Sequence, residues 1–295
     1  MSHLSVPKTY KLFVGGSFPR SESGRTYPLR DASGGFWANA ALGSRKDVRD
    51  AVTAARKGYG AWSRATPYNR GQVIYRVAEM LEGRRASFVE LLVTGSGVDP
   101  QAAAAEVDAA VDRLVHYAGW TDKLAAVLGS TNPVSAPYFS YSAPEPTGVV
   151  GVLAPVGAPL LGLVSALAPV LAGGNAAVVL AAQPDACVAI AFAEVLATSD
   201  VPAGTVNVLT GSVAEMAPHL AAHGDVDALD LTGADPELRV SLEQAAAGTL
   251  KRVYVPRRTP DFTADPGLAR LRAFLETKTV WHPTGALSLA GGSAY

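Results

Sequence analysis

Apolar residues along this chain follow two different periods. In the first part they recur every three to four positions, the spacing of an amphipathic helix. Ser44 is placed to cap a helix that carries Val48, Val52 and Ala55 on one side. Ile74, Val77, Ala78 and Leu81 share a second helical face, and Phe88, Leu91 and Leu92 a third. "PQAAAAEVDAAVDRLVHYAGWTDKLAA" reads as one long Ala-rich helix with Val107, Ala110, Val111 and Leu114 on its apolar side. Before these helices, "YKLFVGGSFPRSESGRTYPLRDASG" predicts short strands joined by Gly-rich turns. After them, the alternating, proline-broken "SAPYFSYSAPEPTG" predicts an exposed strand or hairpin.

From residue 147 the texture changes. "TGVVGVLAPVGAPLLGLVSALAPVLAGGNAAVVLAA" contains no charged side chain. It is long enough for a membrane span. However, Pro155, Pro159 and Pro169, with glycines between them, interrupt it. Its runs "GVVGVL" and "AAVVL" are short, β-branched and bounded by turn residues, as parallel strands buried on both faces should be. The apolar stretch between them predicts a helix. The alternation then continues. Helices are expected in "DACVAIAFAEVLATSD", ending near Pro202, in "VAEMAPHLAAHGDV", and in "DPELRVSLEQAAAGT" with Asp235 near its start. Strands are expected in "TVNVLTG", "ALDLTG" and "KRVYVP". Such alternation predicts an α/β fold built on a doubly wound parallel sheet, and argues against a membrane protein.

Composition narrows the chemistry. The single cysteine, Cys187, excludes a disulfide framework and a cysteine metal cluster, and it falls on a predicted buried helix face. The five histidines form no ligand pattern, so no metal site is expected. The N-terminus "MSHLSVPKTYKLF" has no signal-peptide pattern, which points to a cytoplasmic protein. Net charge is −1, giving no reason to expect nucleic acid as a partner. The charge is unevenly spread, however. Residues 1–123 carry 17 Lys/Arg and 12 Asp/Glu, residues 124–238 carry 10 Asp/Glu and no Lys or Arg, and residues 239–295 carry 8 and 4.

The ordered series "GVVGVLAPVGAPLL", "LAGGNAAVVLA", "VPAGTVNVLTG", "HGDVDALDLTG" and "LKRVYV" resembles the coenzyme-binding domain of the aldehyde dehydrogenase superfamily. "KLFVGGSFPRSESGRTYPL", "AWSRATPYNRGQVIYRVAEMLE" and "EVDAAVDRLVHYAGWTDK" resemble its N-terminal strands and helices. "YFSYSAPEPTGVVG" resembles its oligomerisation hairpin, and "LRAFLETKTVWHPTG" its C-terminal strand. The resemblance implies a Rossmann-like doubly wound sheet with N-terminal helices, an oligomerisation β-hairpin and a C-terminal strand. It implies a coenzyme-binding domain over 1–131 and 147–256, and oligomerisation strands over 132–146 and 275–285. A linker would span 257–274 and a flexible tail 286–295.

The resemblance also implies chemistry: a thiolate nucleophile, an oxyanion donor, a general base and a nicotinamide cofactor. The family's Pro-Trp-Asn-Phe-Pro motif reads Pro155-Val156-Gly157-Ala158-Pro159 here, so Gly157 stands where the oxyanion-binding Asn would be. The family's ribose-binding Lys and Glu fall on Leu180 and Gln183. Its Thr-Gly-Ser turn toward the pyrophosphate reads Thr232-Gly233-Ala234 and is followed by Asp235, either a repulsive charge or an ordinary helix cap. Pro256 occupies the position of the general base, and Arg257 and Arg258 after it read as a solvated pair in a linker.

The domain that should carry the catalytic cysteine is replaced by about a dozen residues, "RTPDFTADPGLA". A deletion of domain size (~100–200 residues) is implied. No catalytic residue is therefore expected. A vestigial cofactor site would comprise Ala154, Pro155, Gly157, Gln183, Gly211, Thr232, Gly233 and Ala234. A block of carboxylates without a cation disfavours a pyrophosphate, so no cofactor is expected beyond weak NAD(P) binding.

The expected function is that of an inactive family member serving as a structural or regulatory subunit. It would oligomerise with itself or with a full-length aldehyde dehydrogenase, through strands bearing Tyr138, Tyr141 and Trp281. The alternatives are an NAD(P)-dependent aldehyde dehydrogenase active only with a partner subunit, and a nucleotide-sensing protein.

Overall fold

A computed structural model describes residues 6–284; the tail assigned to 286–295 lies outside them. The chain opens with a small sheet of β1 (Thr9–Tyr10), β2 (Thr26–Arg30) and β3 (Phe36–Ala41), ordered β1-β3-β2. The alanine-rich β3, "FWANAA", carries no β-branched run and is not anticipated by the sequence pattern. Tertiary pairing makes it a strand. It zips antiparallel to β2 and parallel to β1, burying Ala38, Ala40 and Ala41.

Four helices follow: α1 (Arg45–Arg64), α2 (Pro67–Glu82), α3 (Arg85–Ser96) and α4 (Pro100–Ala118). Ser44 caps α1 in a reciprocal capping box with Asp47. Thr66 and Asp99 cap α2 and α4, each followed by a proline at the first helical position. The helix expected to run on from α4 stops at Ala118. Gly119 caps it, and the Thr121 hydroxyl donates to the Ala118 carbonyl at 3.0 Å. The remainder becomes a separate short helix, α5 (Leu124–Leu128).

After β4 (Ser130–Asn132) and β5 (Tyr138–Pro146) comes the central alternation: β6 (Val149–Leu153), α6 (Leu161–Ala172), β7 (Ala176–Leu180), α7 (Ala186–Ala197), β8 (Val206–Leu209), α8 (Val213–Ala221), β9 (Ala228–Asp230), α9 (Pro236–Ala247) and β10 (Arg252–Tyr254). The five strands are parallel and ordered β10-β9-β6-β7-β8. Every residue of β6 and β7 is buried. Successive side chains alternate between two cores. Val150, Val152, Ala177 and Val179 face the core shared with α2, α4, α6 and α7, whereas Val149, Leu153, Val178 and Leu180 face the core shared with α1 and α8. Each fully buried Val or Leu contributes roughly 1.5–3 kcal/mol, so this double coverage dominates the stability of the sheet. No helix among the described residues is long and apolar enough to cross a membrane.

A short α10 (Ala269–Ala273) leads into β11 (Leu275–Pro283), which pairs along its whole length with β5 to give an antiparallel sheet ordered β11-β5-β4. Asn175, completely buried, joins this sheet to the central one. Its Oδ1 accepts from Gly148 N–H, and its amide donates to the carbonyls of Val170 and Phe274.

The packing of α1 on the chain entering β8 supplies a test. A Cβ at Gly58 would lie 2.4 Å from Gly204 C and 2.5 Å from Thr205 N. In an open helix Gly→Ala gains about 1 kcal/mol. Here the overlap with backbone outweighs that gain, since overpacking costs about 1–3 kcal/mol. Gly58→Ala should therefore lower the urea midpoint; a raised midpoint would refute the contact.

Candidate functional site

In an open parallel sheet, ligands bind beyond the carboxyl ends of the strands where the strand order reverses. Here that point lies between β6 and β9, whose neighbours run in opposite sequence directions. Four of the residues singled out from sequence meet there. Ala154 follows β6 and donates its N–H to the Leu180 carbonyl at 3.0 Å. The turn of Thr232, Gly233 and Ala234 follows β9 and lies directly against the end of β6. A Cβ at Gly233 would fall 2.1 Å from the Ala154 carbonyl oxygen, so only glycine fits.

Pro155 is buried beside them, and Gly157 sits exposed in the left-handed region (φ +89°) with open space around it. Gln183 and Gly211 lie at the ends of β7 and β8. Tyr27 reaches the first of them, its hydroxyl donating to the Gln183 carbonyl at 3.0 Å.

The polar groups of the turn after β9 and of the two helix starts beside it are matched within the chain, whereas Asp185 Oδ2, buried after β7, has no partner among the described residues. Thr232 N–H and hydroxyl both donate to Asp230 Oδ1, at 3.0 and 2.5 Å. Gly233 N–H donates to the Leu153 carbonyl and Ala234 N–H to the Leu231 carbonyl, each at 3.1 Å. The N-terminus of α9 is capped by Asp235 at 2.8 Å and has Pro236 and Glu237 in its first turn. Asp235 is thus an ordinary helix cap.

The N-terminus of α6 is taken as well. Glu106 of α4 accepts from Leu160 and Leu161 N–H at 2.9 and 3.1 Å. A dinucleotide pyrophosphate is normally held by N–H groups of this kind. In this chain they already hold carbonyls and carboxylates, and the residues present do not fit the group.

The surrounding charges include several that sequence reasoning did not single out. Asp230 is completely buried and pairs with Arg270 of α10 at 2.6 Å; the Arg270 guanidinium also lies over the Tyr254 ring. Burial pushes the Asp230 carboxyl up, while Arg270 and Thr232 act the other way. Arg113 of α4 donates to the carbonyls of Phe262 and Ala264 at 2.5 and 2.9 Å. The Phe262 ring lies beside Gly162, next to Pro155 and Ala158.

Asp185 sits in the turn after β7. Burial, and then the charge of Glu106, push it up to about 6. Cys187 is buried on α7, and burial pushes its thiol up to about 12, away from the reactive thiolate. Arg257 and Arg258 are solvent-exposed.

The Asp230–Arg270 pair and the contacts of Arg113 with Phe262 and Ala264 join residues far apart in sequence. The one signal that could have found them is the carboxylate surplus itself, since a buried acid must be paired or neutralised.

Residues 19–256 match the aldehyde dehydrogenase family. The chain is 32% identical over 258 residues to cytosolic aldehyde dehydrogenase 1 of Elephantulus edwardii, covering 86% of this chain and 51% of that protein. It superposes on HpcC from Thermus thermophilus with a TM-score of 0.78 at 30% identity, covering 83% of this chain and 47% of that one. An NAD+ complex of aldehyde dehydrogenase from Bacillus cereus gives 0.78 at 27% identity, covering 83% and 50%. The chain spans about half the length of these relatives.

Asp185 generates a pH prediction. A carboxyl raised to about 6 in the folded state destabilises the fold above that pH. The penalty is lost as pH falls through 6 toward the unfolded carboxylate value, about 4. Asp185→Asn should therefore stabilise the protein by on the order of 2 kcal/mol at pH 7.5 and little at pH 4. Urea titrations of both proteins across this range check the sign. An equal effect at both ends would contradict it.

Proposed function

The chain belongs to the aldehyde dehydrogenase family, and we propose that it is a non-catalytic member serving as a structural or regulatory subunit. The carrying observation is the state of the switch point. The turn that should hold a pyrophosphate donates its N–H groups inward; the charges touching it are the carboxylates Asp230 and Asp235, and the nearby Arg270 is paired with Asp230. Around it, Gly157 offers no side-chain donor, Pro256 no base, and Cys187 no accessible thiol. Between β10 and β11 the chain has only residues 255–274, which pack as a strap and α10 rather than as a second domain.

The antiparallel sheet supports an assembly role. Phe139, Tyr141, Val280 and His282 share one of its faces, and Tyr138 and Trp281 the other. Tyr138, Phe139 and Trp281 are all exposed, Trp281 at 55%. Exposed aromatics concentrated on a thin two-sided sheet fit a protein partner. That partner is a second copy or a full-length aldehyde dehydrogenase, in the cytoplasm.

Two experiments test this reading. Calorimetric titration of the purified chain with NAD and NADP should give no saturable micromolar binding. Tight binding would replace the proposal with a nucleotide sensor, or with an enzyme completed by its partner. Co-expression with a full-length aldehyde dehydrogenase from the same genome, followed by size exclusion, separates hetero- from homo-oligomer. In either assembly, Tyr138→Ser combined with Trp281→Ser should reduce the apparent mass to that of a monomer and leave the melting temperature within a few degrees. An unchanged mass would remove this sheet from the interface.

A further inference from the structure

One concavity of the molecule is lined by no residue of the switch point. It has a volume of about 570 Å³, within the range of small-molecule sites, roughly 300–1,000 Å³. Helices α3 and α7 and strands β1 and β3 enclose it, with Lys8 from the segment before β1. Its deepest part is aromatic. Tyr10 and Phe88 are buried, and Trp37 lies half-buried against the last turn of α3, where a Cβ at Gly95 would come 2.9 Å from the ring.

The polar groups around these rings are of two kinds. Glu194 of α7 is committed: one oxygen accepts from Lys8 Nζ at 2.6 Å, and the other lies 3.7 Å from the Arg84 guanidinium. The groups on α3 are held in reserve. Among the described residues the Arg84 guanidinium and the hydroxyls of Ser87 and Thr94 make no hydrogen bond, and Glu90 makes neither a hydrogen bond nor an ion pair. Arg84, Ser87, Leu91 and Thr94 recur at the spacing of one helical stripe, which α3 turns toward the cavity.

Charge is divided along this stripe. Lys8 and Arg84 outweigh Glu194 by one positive charge at one end, and Glu90 supplies one negative charge at the other. Arg84 and Glu90 are attached to α3 roughly 9 Å apart along its axis, at about 1.5 Å per residue. Two hydrogen bonds of about 3 Å each leave between them a span that the carboxylate and ammonium of one α-amino acid fill.

We propose that this cavity binds a free hydrophobic amino acid, its carboxylate on Arg84, its ammonium on Glu90 and its side chain against Tyr10, Trp37 and Phe88. Arg84 offers a carboxylate a planar fork of donors, and the Lys8–Glu194 pair stays intact as part of the wall. A ligand of single charge leaves one end unpaired, and an apolar one leaves both, so the site selects a zwitterion. This gives the regulatory subunit a ligand, and it rests on that role only for the amino acid being an effector rather than a substrate. Micromolar NAD binding would sink the non-catalytic reading and leave this site standing.

The probe is L-phenylalanine, titrated by calorimetry into the full-length chain. 3-Phenylpropionate and phenethylamine, followed by ligand-observed NMR, are its two halves. The wild type should bind L-phenylalanine saturably and at least tenfold more tightly than either half. Glu90→Gln should weaken L-phenylalanine and phenethylamine at least tenfold and change 3-phenylpropionate less than twofold. Arg84→Gln should weaken L-phenylalanine and 3-phenylpropionate and spare phenethylamine. Both side chains reach solvent, so neither substitution should move the melting temperature by more than a few degrees. Three results would each overturn the assignment: no saturable binding of L-phenylalanine or L-leucine at millimolar concentration, half-ligands as tight as the whole, or an affinity indifferent to both substitutions.

Discussion

A parallel sheet must be covered on both faces, and this requirement organises the molecule. Side chains of β6 and β7 alternate between two cores, and neither core tolerates exposure. The core shared with α1 and α8 is completed by α9. The other core is built from α2, α4, α6 and α7 over most of its area, and α10 packs against α6 and β10 on that same side. Leu271 and Phe274 supply its apolar cover there, and the Arg270–Asp230 pair fixes its position. The strap is therefore structural before it is anything else. Without it, Tyr254 and the α6 flank would face water.

The same economy governs the carboxyl edge of the sheet. A ligand site keeps donors in reserve, because N–H groups aimed at solvent are cheap to hold and strong when a charged group arrives. Here the reserve is committed. Glu106 takes the start of α6, Asp235 the start of α9, and Asp230 the Thr232 turn. Each contact is an ordinary stabilising one. Together they commit the backbone donors of a crevice expected to hold them free.

The parts of the fold legible in the sequence are those whose burial is local. β6, β7, α6 and α7 read directly because nearly every residue in them is buried, and the cap at Ser44 reads directly because capping is decided within four residues; Asp235, left open between a repulsive charge and a cap, is a cap. β3 was not legible, since alanines become a strand only when a partner is present. The break after α4 was obscured by an apolar pattern running through Gly119. At the site, Gly233 and the turn after β6 were legible as motifs. Asp230–Arg270 and Glu106 with the α6 amides were not, because each joins residues 40 or more positions apart. The charge count had the right sign and an incomplete consequence. It treated residues 124–238 as their own environment, whereas the fold brings Arg270 in from outside to neutralise the most deeply buried acid.

These two surfaces, taken together, separate what the chain keeps closed from what it leaves open. Most backbone donors are matched internally at the switch point, the place where this architecture meets small molecules. On the β4-β5-β11 sheet they are not. Tyr138, Phe139 and Trp281 stand out into solvent, and β11 has a nine-residue edge whose outer side has no strand beside it among the described residues. Such an edge is a hazard for a free monomer, because any exposed strand can pair with it. A hazard of this kind is tolerable where a partner covers the edge. Closure of the ligand edge and openness of the strand edge therefore support the proposed subunit role from opposite sides.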